Sequence, residues 1–276
     1  MSRNYYIIPK QQYDLKEFFG LVTKIEGIQY EDRGNDIYYF WMEGKSTRGI
    51  DFTVEGDRIE LRMTNFSNEG DYFVTGVLAK LFQDVYKCKI VDEDGKRVKN
   101  ELIYTSAEAT QNIYDDYNAL KSMHQIEEGV ITLFCPHRRV HLGKTVFKKL
   151  AHLEEGKAIA ELEKLIKDIN YSYPEYSYGN ILAMKSEDKD KGEEIFKVLT
   201  NSNNYVLDKY DYLMFDHPIK QERQIVITND QLNTILPTQW NLLDDYTVLA
   251  PPLPEKDWFT FRLEAAKMDL YDTVFN

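Results

Sequence analysis

Residues 37–86 read IYYFWMEGKSTRGIDFTVEGDRIELRMTNFSNEGDYFVTGVLAKLFQDVY, and this stretch decides the fold. Three short runs with the character of β-strands come first, at residues 37–42, 49–54 and 58–64. Apolar and polar residues alternate in the second and third runs, and glycine-containing turns separate the three. Alternation with a period of two is typical of a sheet that buries one face and exposes the other. The sequence therefore predicts an antiparallel meander.

The stretch Glu69–Tyr86 that follows has the periodicity of an amphipathic helix. Its apolar residues fall in two adjacent rows, Phe73-Val77-Leu81-Val85 and Val74-Leu78-Phe82-Tyr86. Two adjacent rows make an apolar stripe that is wide enough to cover a sheet. We predict that this helix packs on the apolar face of the meander.

Helix and strand patterns are mixed in the rest of the chain, which predicts an α+β fold. We expect an antiparallel meander covered by helices in the N-terminal part and a mixed α+β C-terminal part. A strand is predicted at residues 181–185, and a terminal helix at residues 256–271 is predicted to bury Phe259, Leu263, Ala266 and Leu270. Hydrophobic periodicity is weakest around residues 123–128, so we predict domains at 1–127 and 128–276, with a single domain as the alternative.

The charge and cysteine content of the 276-residue chain argue against several classes of protein. Its 46 acids and 34 bases give a net charge of -12, which opposes binding to nucleic acids and to anionic membranes. Two cysteines, Cys88 and Cys135, do not make a disulfide framework. The first residues lack the apolar run of a signal peptide, and no stretch approaches the ~18 apolar residues of a membrane span. These features predict a soluble cytoplasmic protein, and the abundance of Asn, Lys, Ile and Tyr indicates a bacterial source with AT-rich codons.

One short segment holds three candidate metal ligands, Cys135, His137 and His141. Thiolate and imidazole are good zinc ligands, but a structural zinc site needs a fourth ligand and no second close Cys/His pair exists. Cys135 with either histidine is also the one nucleophile–base pair worth naming. The alternative is that Cys135 ends a buried strand and the histidines lie in a polar hairpin. That alternative is favoured, so we expect no metal and no cofactor.

The same region is the one basic segment of the chain, with Arg138, Arg139 and Lys144 followed by Lys148 and Lys149. Such a segment can bind a phosphate or an acidic partner, although a charge block is more often a solvated surface. Gly143-Lys144-Thr145 matches the end of a phosphate-binding loop, but Arg138 stands where the first glycine is required. The sequence therefore argues against a nucleotide-binding loop.

Four tyrosines, Tyr171, Tyr173, Tyr176 and Tyr178, occur within nine residues around Pro174. Exposed rings in a loop can anchor a protein interface or stack on a sugar. The alternative, which is favoured on spacing alone, is that these rings partly cover apolar surface.

The sequence has none of the motifs G-x-S-x-G, H-E-x-x-H or G-x-G-x-x-G, which favours a protein that is not an enzyme. Our leading hypothesis is a bacterial protein that acts by protein–protein binding, for example an inhibitor or immunity-type protein that neutralises a basic partner, or one that self-associates. The binding residues would come from the four tyrosines and from Arg138, Arg139 and Lys144. We expect no binding to nucleic acid or membrane. The rival hypothesis is a metal-binding protein or hydrolase that uses the Cys135–His137–His141 segment.

Overall fold

The computed structural model describes residues 2–99, 103, 107–127, 129–185, 192–220 and 223–275. Its backbone contacts divide the chain into two compact units, Met1–Ser172 and Tyr173–Asn276. This division falls after the helix Glu155–Tyr171. The helix is bonded within the first unit, where its Glu163 carboxylate accepts a 2.8 Å hydrogen bond from Asn68 Nδ2. The domain boundary between residues 127 and 128, with a single domain as the alternative, stays a prediction from the sequence.

The first unit is built on a six-stranded antiparallel sheet with the strand order β2-β3-β4-β5-β1-β6. Its strands are β1 (Arg3–Pro9), β2 (Ile28–Asp32), β3 (Ile37–Met42), β4 (Ile50–Glu55), β5 (Arg58–Met63) and β6 (Cys88–Asp92), and a separate hairpin has β7 (Ile131–Leu133) and β8 (Val140–Leu142). Its helices include α1 (Leu15–Val22), α2 (Glu69–Tyr86), α3 (Ala107–Glu127), α4 (Lys144–Leu150) and α5 (Glu155–Tyr171). The predicted meander is confirmed as β3–β4–β5, in which Phe40 lies opposite Ile50 and Phe52 opposite Leu61.

Helices α1 and α2 contribute aromatic side chains to the core of this sheet. Phe18 of α1 lies 5.7 Å from the ring of Phe52 on β4 and 5.1 Å from the ring of Phe82 on α2, measured between ring centroids. These three side chains are fully buried. A reciprocal capping box between Asn68 and Asp71 begins α2, so the helix starts where the loop from the sheet ends.

The fully buried carboxylate of Asp71 joins the start of α2 to the turn between β3 and β4. Oδ2 accepts hydrogen bonds from the backbone N–H groups of Thr47 (3.2 Å), Arg48 (3.0 Å) and Asn68 (3.0 Å), and from the Thr47 hydroxyl (2.9 Å). Oδ1 accepts from the backbone N–H of Gly49 at 2.8 Å. Burial raises the pKa of Asp71, and the hydrogen bonds oppose that rise.

The second unit contains a mixed four-stranded sheet and a three-stranded antiparallel sheet, with the orders β13-β12-β10-β9 and β11-β15-β14. The strands are β9 (Ile181–Lys185), β10 (Glu193–Val198), β11 (Tyr205–Leu207), β12 (Tyr212–Asp216), β13 (Gln224–Ile227), β14 (Asn241–Leu242) and β15 (Val248–Ala250). The helices are α6 (Asn229–Thr234), α7 (Glu255–Ala266) and α8 (Tyr271–Phe275). The prediction of an α+β fold is confirmed.

The predicted buried face of the terminal helix is wrong. Helix α7 ends at Ala266 and buries Phe261 and Ala265, while Phe259 is 43% exposed. The Phe261 ring stacks on Phe215 of β12 at 5.4 Å, and this contact sets the rotation of the helix.

Within the described residues, no helix is long and apolar enough to cross a membrane.

Candidate functional site

An open groove of about 510 Å³ lies along α4 and is lined by Lys144, Thr145, Lys148, Lys149 and His152. The three lysines are exposed. No ion pair joins them to a carboxylate of the described residues, so their ammonium charges are left to solvent. The groove therefore presents a local positive charge on a chain whose net charge is -12.

The other face of α4 attaches the helix to the first unit through buried Val146, Phe147 and Leu150. Phe147 stacks on His124 of α3 with the ring centroids 4.5 Å apart. Glu155, which follows α4 in the chain, accepts a 2.6 Å hydrogen bond from Asn118 Nδ2. The basic face of α4 is thus carried on a well-packed helix.

The three residues predicted to form a basic binding segment have different environments. Arg138 is buried, and its guanidinium donates a 3.0 Å hydrogen bond to the carbonyl of Ile169. Arg139 is exposed beside the ring of Phe134, at 5.2 Å from the centroid. Lys144 lines the groove. Arg138 therefore stabilises the fold, and of the three it is Lys144 that belongs to the groove.

Cys135, His137 and His141 also have separate surroundings. Cys135 is half-buried, with Sγ 3.7 Å from the carbonyl of Leu133. His141 is fully buried on β8, with Nδ1 3.1 Å from the Thr132 hydroxyl. The described part of the chain contains no group of three His, Cys, Asp or Glu side chains that could hold a metal ion.

His137 instead belongs to a cluster with Trp41, Glu43 and Tyr171. Its Nε2 lies 3.1 Å from the Glu43 carboxylate, which also accepts a 2.8 Å hydrogen bond from Trp41 Nε1. The His137 ring meets Tyr171 edge-on at 5.4 Å, and the Tyr171 hydroxyl donates to the carbonyl of Ser46 at 2.8 Å. Burial raises the pKa of Tyr171. These contacts hold the segment after β7 against the turn that follows β3, so the cluster stabilises the fold of the first unit.

The four loop tyrosines are divided between the two units. Tyr171 is the last residue of α5, whereas Tyr173, Tyr176 and Tyr178 lie at the start of the second unit. All four are half-buried, and the rings of Tyr173 and Tyr176 meet edge-on at 6.0 Å. Because the four rings are half-buried, they offer a binding partner less accessible surface than fully exposed rings would.

The strand that follows this loop carries exposed apolar side chains that the sequence analysis missed. Ile181, Leu182 and Met184 on β9 and Ile195 on β10 are between 39% and 52% exposed. In the described part of the chain β9 pairs with β10 alone, so its other edge has no strand partner. The run Ile-Leu-Ala-Met at residues 181–184 lacks the alternation of apolar and polar residues that a half-exposed strand shows. This run of apolar residues was the sequence signal for an exposed apolar strand. The sequence cannot show which strand lies at an edge.

A buried lysine, Lys197, lies on β10 in the same hairpin. It is 2% exposed, and within the described residues its Nζ has no hydrogen-bond partner. The ring of Tyr205 lies beside this amine, with its centroid 4.8 Å from Nζ. Burial lowers the pKa of Lys197 to about 8, because removal from water disfavours the charged ammonium.

Comparison of the amino-acid sequence with family models identifies the family of this chain. Residues 2–217 match the model described as Domain of unknown function (DUF4299). The chain belongs to this family. Comparisons with curated proteins and with solved structures found no match.

The DUF4299 match includes the surfaces described above. The groove on α4, the Cys135–His141 segment and the β9–β10 hairpin all lie within residues 2–217. The match ends shortly after β12, so α7 and α8 lie beyond it.

Proposed function

We propose that this DUF4299 protein acts in the bacterial cytoplasm by binding another protein, and that the edge strand β9 receives an extended, basic segment of that partner. An inhibitor or immunity-type protein that neutralises a basic partner would work in this way. The exposed apolar edge of the β9–β10 hairpin is the observation that carries the proposal.

An edge strand presents unpaired backbone N–H and C=O groups that another chain can use to extend the sheet. Native proteins usually protect such edges with charged side chains, proline or a covering element. Exposed apolar side chains lie on both faces of the hairpin, with Leu182 and Met184 on one face and Ile181 and Ile195 on the other, while the acidic Glu193 at the start of β10 is also exposed. Four of the eleven exposed large hydrophobic side chains in the described part of the chain are grouped there. Grouped apolar side chains of this kind mark interaction sites.

The charge of the second unit favours a basic partner. Residues 173–276 contain 18 acids and 10 bases, so this stretch carries a net charge of -8 out of the total of -12. A second copy of the chain is equally acidic, and like charges oppose its approach. A basic segment would be attracted and its encounter accelerated.

The state of the cysteines supports an intracellular location. Cys88 and Cys135 are both free, and free thiols persist in a reducing compartment. This observation agrees with a partner that is met in the cytoplasm.

A peptide-binding measurement tests the proposal. The probe is a fluorescent peptide of about ten alternating valine and lysine residues, which is long enough to pair with one strand. Its acidic counterpart replaces each lysine with glutamate. We expect the basic peptide to bind in fluorescence anisotropy, and Leu182→Lys combined with Met184→Lys to weaken that binding about tenfold or more.

The matched control is Ile219→Lys combined with Phe259→Lys, which makes the same charge change at two exposed apolar residues outside the hairpin. This control should bind the basic peptide nearly as tightly as the unaltered protein. Equal loss in both double variants, or equal binding of the basic and acidic peptides, would refute the proposal. Light scattering tests the alternative of self-association. A concentration-dependent dimer that the hairpin variant abolishes would show that β9 binds a second copy of the chain and not a basic partner.

A further inference from the structure

The basic groove on α4 is formed by residues other than those of the proposed protein-binding hairpin, and its positive charge favours an anionic ligand. Lys144 and Lys148 are four residues apart, as are Thr145 and Lys149, and as are Lys148 and His152. Residues spaced by three or four lie side by side on a helix. Of the three lysines, Lys144 and Lys148 are therefore neighbours on α4, and like charges at this spacing destabilise a helix.

Nothing among the described residues offsets that repulsion. No carboxylate of the described residues forms an ion pair with Lys144, Lys148 or Lys149, although the chain has more acids than bases. Surface lysines elsewhere in the chain do have such partners, for example Lys80 with Asp84 at 2.9 Å and Lys167 with Glu163 at 2.9 Å. The groove therefore groups cations that no carboxylate pairs with in the part of the chain that the structure describes.

We propose that this groove binds a small anion that carries two or more phosphate groups. Ammonium groups are effective phosphate binders because each acts as a compact point charge with several N–H donors. A volume of about 510 Å³ lies in the range of small-ligand sites. A long nucleic acid is disfavoured, because its phosphates beyond the groove would face an acidic protein.

Isothermal titration calorimetry of the full chain with inorganic diphosphate tests this proposal. We expect saturable binding to the unaltered protein at low salt. Lys148→Gln combined with Lys149→Gln should weaken it about tenfold or more, because each charged hydrogen bond contributes strongly to affinity. Both lysines are exposed, so the variant should keep its thermal unfolding midpoint and its circular dichroism spectrum.

The control is Lys157→Gln combined with Lys164→Gln, which removes the same charge from two exposed positions of α5. Binding by this control should stay within about twofold of the unaltered protein, as expected for rim charges outside the site. No saturable binding, or equal weakening in both pairs, would overturn the proposal. Equal affinity for citrate would overturn the assignment to phosphate, and tighter binding of short duplex DNA at the same lysines would assign the groove to nucleic acid instead.

Discussion

At the scale of single residues, the turn between β3 and β4 depends on a glycine. Gly49 has a φ of +64°, a conformation that side chains with a Cβ rarely adopt. A Cβ at this position would lie 2.5 Å from the hydroxyl oxygen of Tyr39 and 2.9 Å from the carbonyl oxygen of Phe40. The Tyr39 hydroxyl cannot simply move away, because it donates a hydrogen bond to the carbonyl of Arg48 and its side chain is buried.

We expect Gly49→Ala to lower the free energy of unfolding by about 2–4 kcal/mol, from backbone strain together with overpacking. Gly56→Ala is the matched control, since Gly56 has a φ of +61° but open space around its Cβ position. That variant should lose about 1 kcal/mol from strain alone. Urea denaturation of both variants measures the difference, and equal losses would show that the contact with Tyr39 relaxes freely.

The buried amine of Lys197 predicts a pH-dependent stability. Its pKa is about 8 in the folded protein and 10.5 in a free side chain, so the unfolded chain binds the proton more tightly. Below pH 8 this difference costs about 3 kcal/mol of stability, and the cost disappears as the pH rises towards 10.5. Lys197→Met should therefore raise the unfolding free energy by up to about 3 kcal/mol at pH 7 and by roughly half of that at pH 9.5.

The control for this measurement is Lys256→Met, which alters an exposed lysine of α7. Its unfolding free energy should follow that of the unaltered protein at both pH values. A gain for Lys197→Met that does not change between pH 7 and pH 9.5 would mean that the amine titrates normally in the folded state.

At the scale of elements, both apolar rows of α2 contact the core of the first unit, and the row that contains Val74 is the more deeply buried. Val74, Leu78 and Phe82 are fully buried, whereas Phe73 in the neighbouring row is 38% exposed. Thr75 interrupts the apolar pattern and is also buried. Its hydroxyl tolerates this burial because it donates a hydrogen bond to the backbone carbonyl of Asp71 at 2.9 Å. The buried face is therefore rotated away from the Phe73 row.

We predict that Phe82→Ala lowers the free energy of unfolding by about 3–5 kcal/mol, because it leaves a cavity among Phe18, Tyr13 and Tyr86. Phe73→Ala on the same helix should cost far less, since its ring is partly in water. Chemical denaturation of the two variants provides the comparison. Similar losses in both would contradict the rotation of α2 described here.

At the scale of the whole molecule, the distribution of charge governs which partners can approach. The net charge of -12 repels polyanions, and the grouped lysines of α4 can neutralise only a few phosphates. We expect no submicromolar binding of duplex DNA near physiological salt in an electrophoretic mobility assay. Tight binding with a steep dependence on salt would show that the lysines of α4 dominate over the acidic surface.

Much of the fold was predictable because its signals are local. The alternation in β4 and β5 and the double apolar row of α2 each lie within fewer than twenty residues, and both predictions hold. The doublet Asp115-Asp116 also behaves as helix geometry requires, since Asp115 is exposed while Asp116 is buried. Asp116, however, forms an ion pair with Arg3 at 2.8 Å and accepts a hydrogen bond from the backbone N–H of Phe66 at 2.9 Å, and no local pattern connects residues so far apart in the chain.

The candidate sites show the same division between what the sequence determined and what only the tertiary structure decided. The sequence by itself determined the α+β class, the meander and the grouping of Lys144, Lys148 and Lys149, because periodicity and charge can be counted along the chain. The tertiary structure decided that Arg138 is buried against Ile169, that β9 is an edge strand and that Lys197 has a tyrosine ring as its neighbour. Burial, edge position and pKa depend on which distant residues surround a side chain, and those neighbours are brought together only when the chain folds.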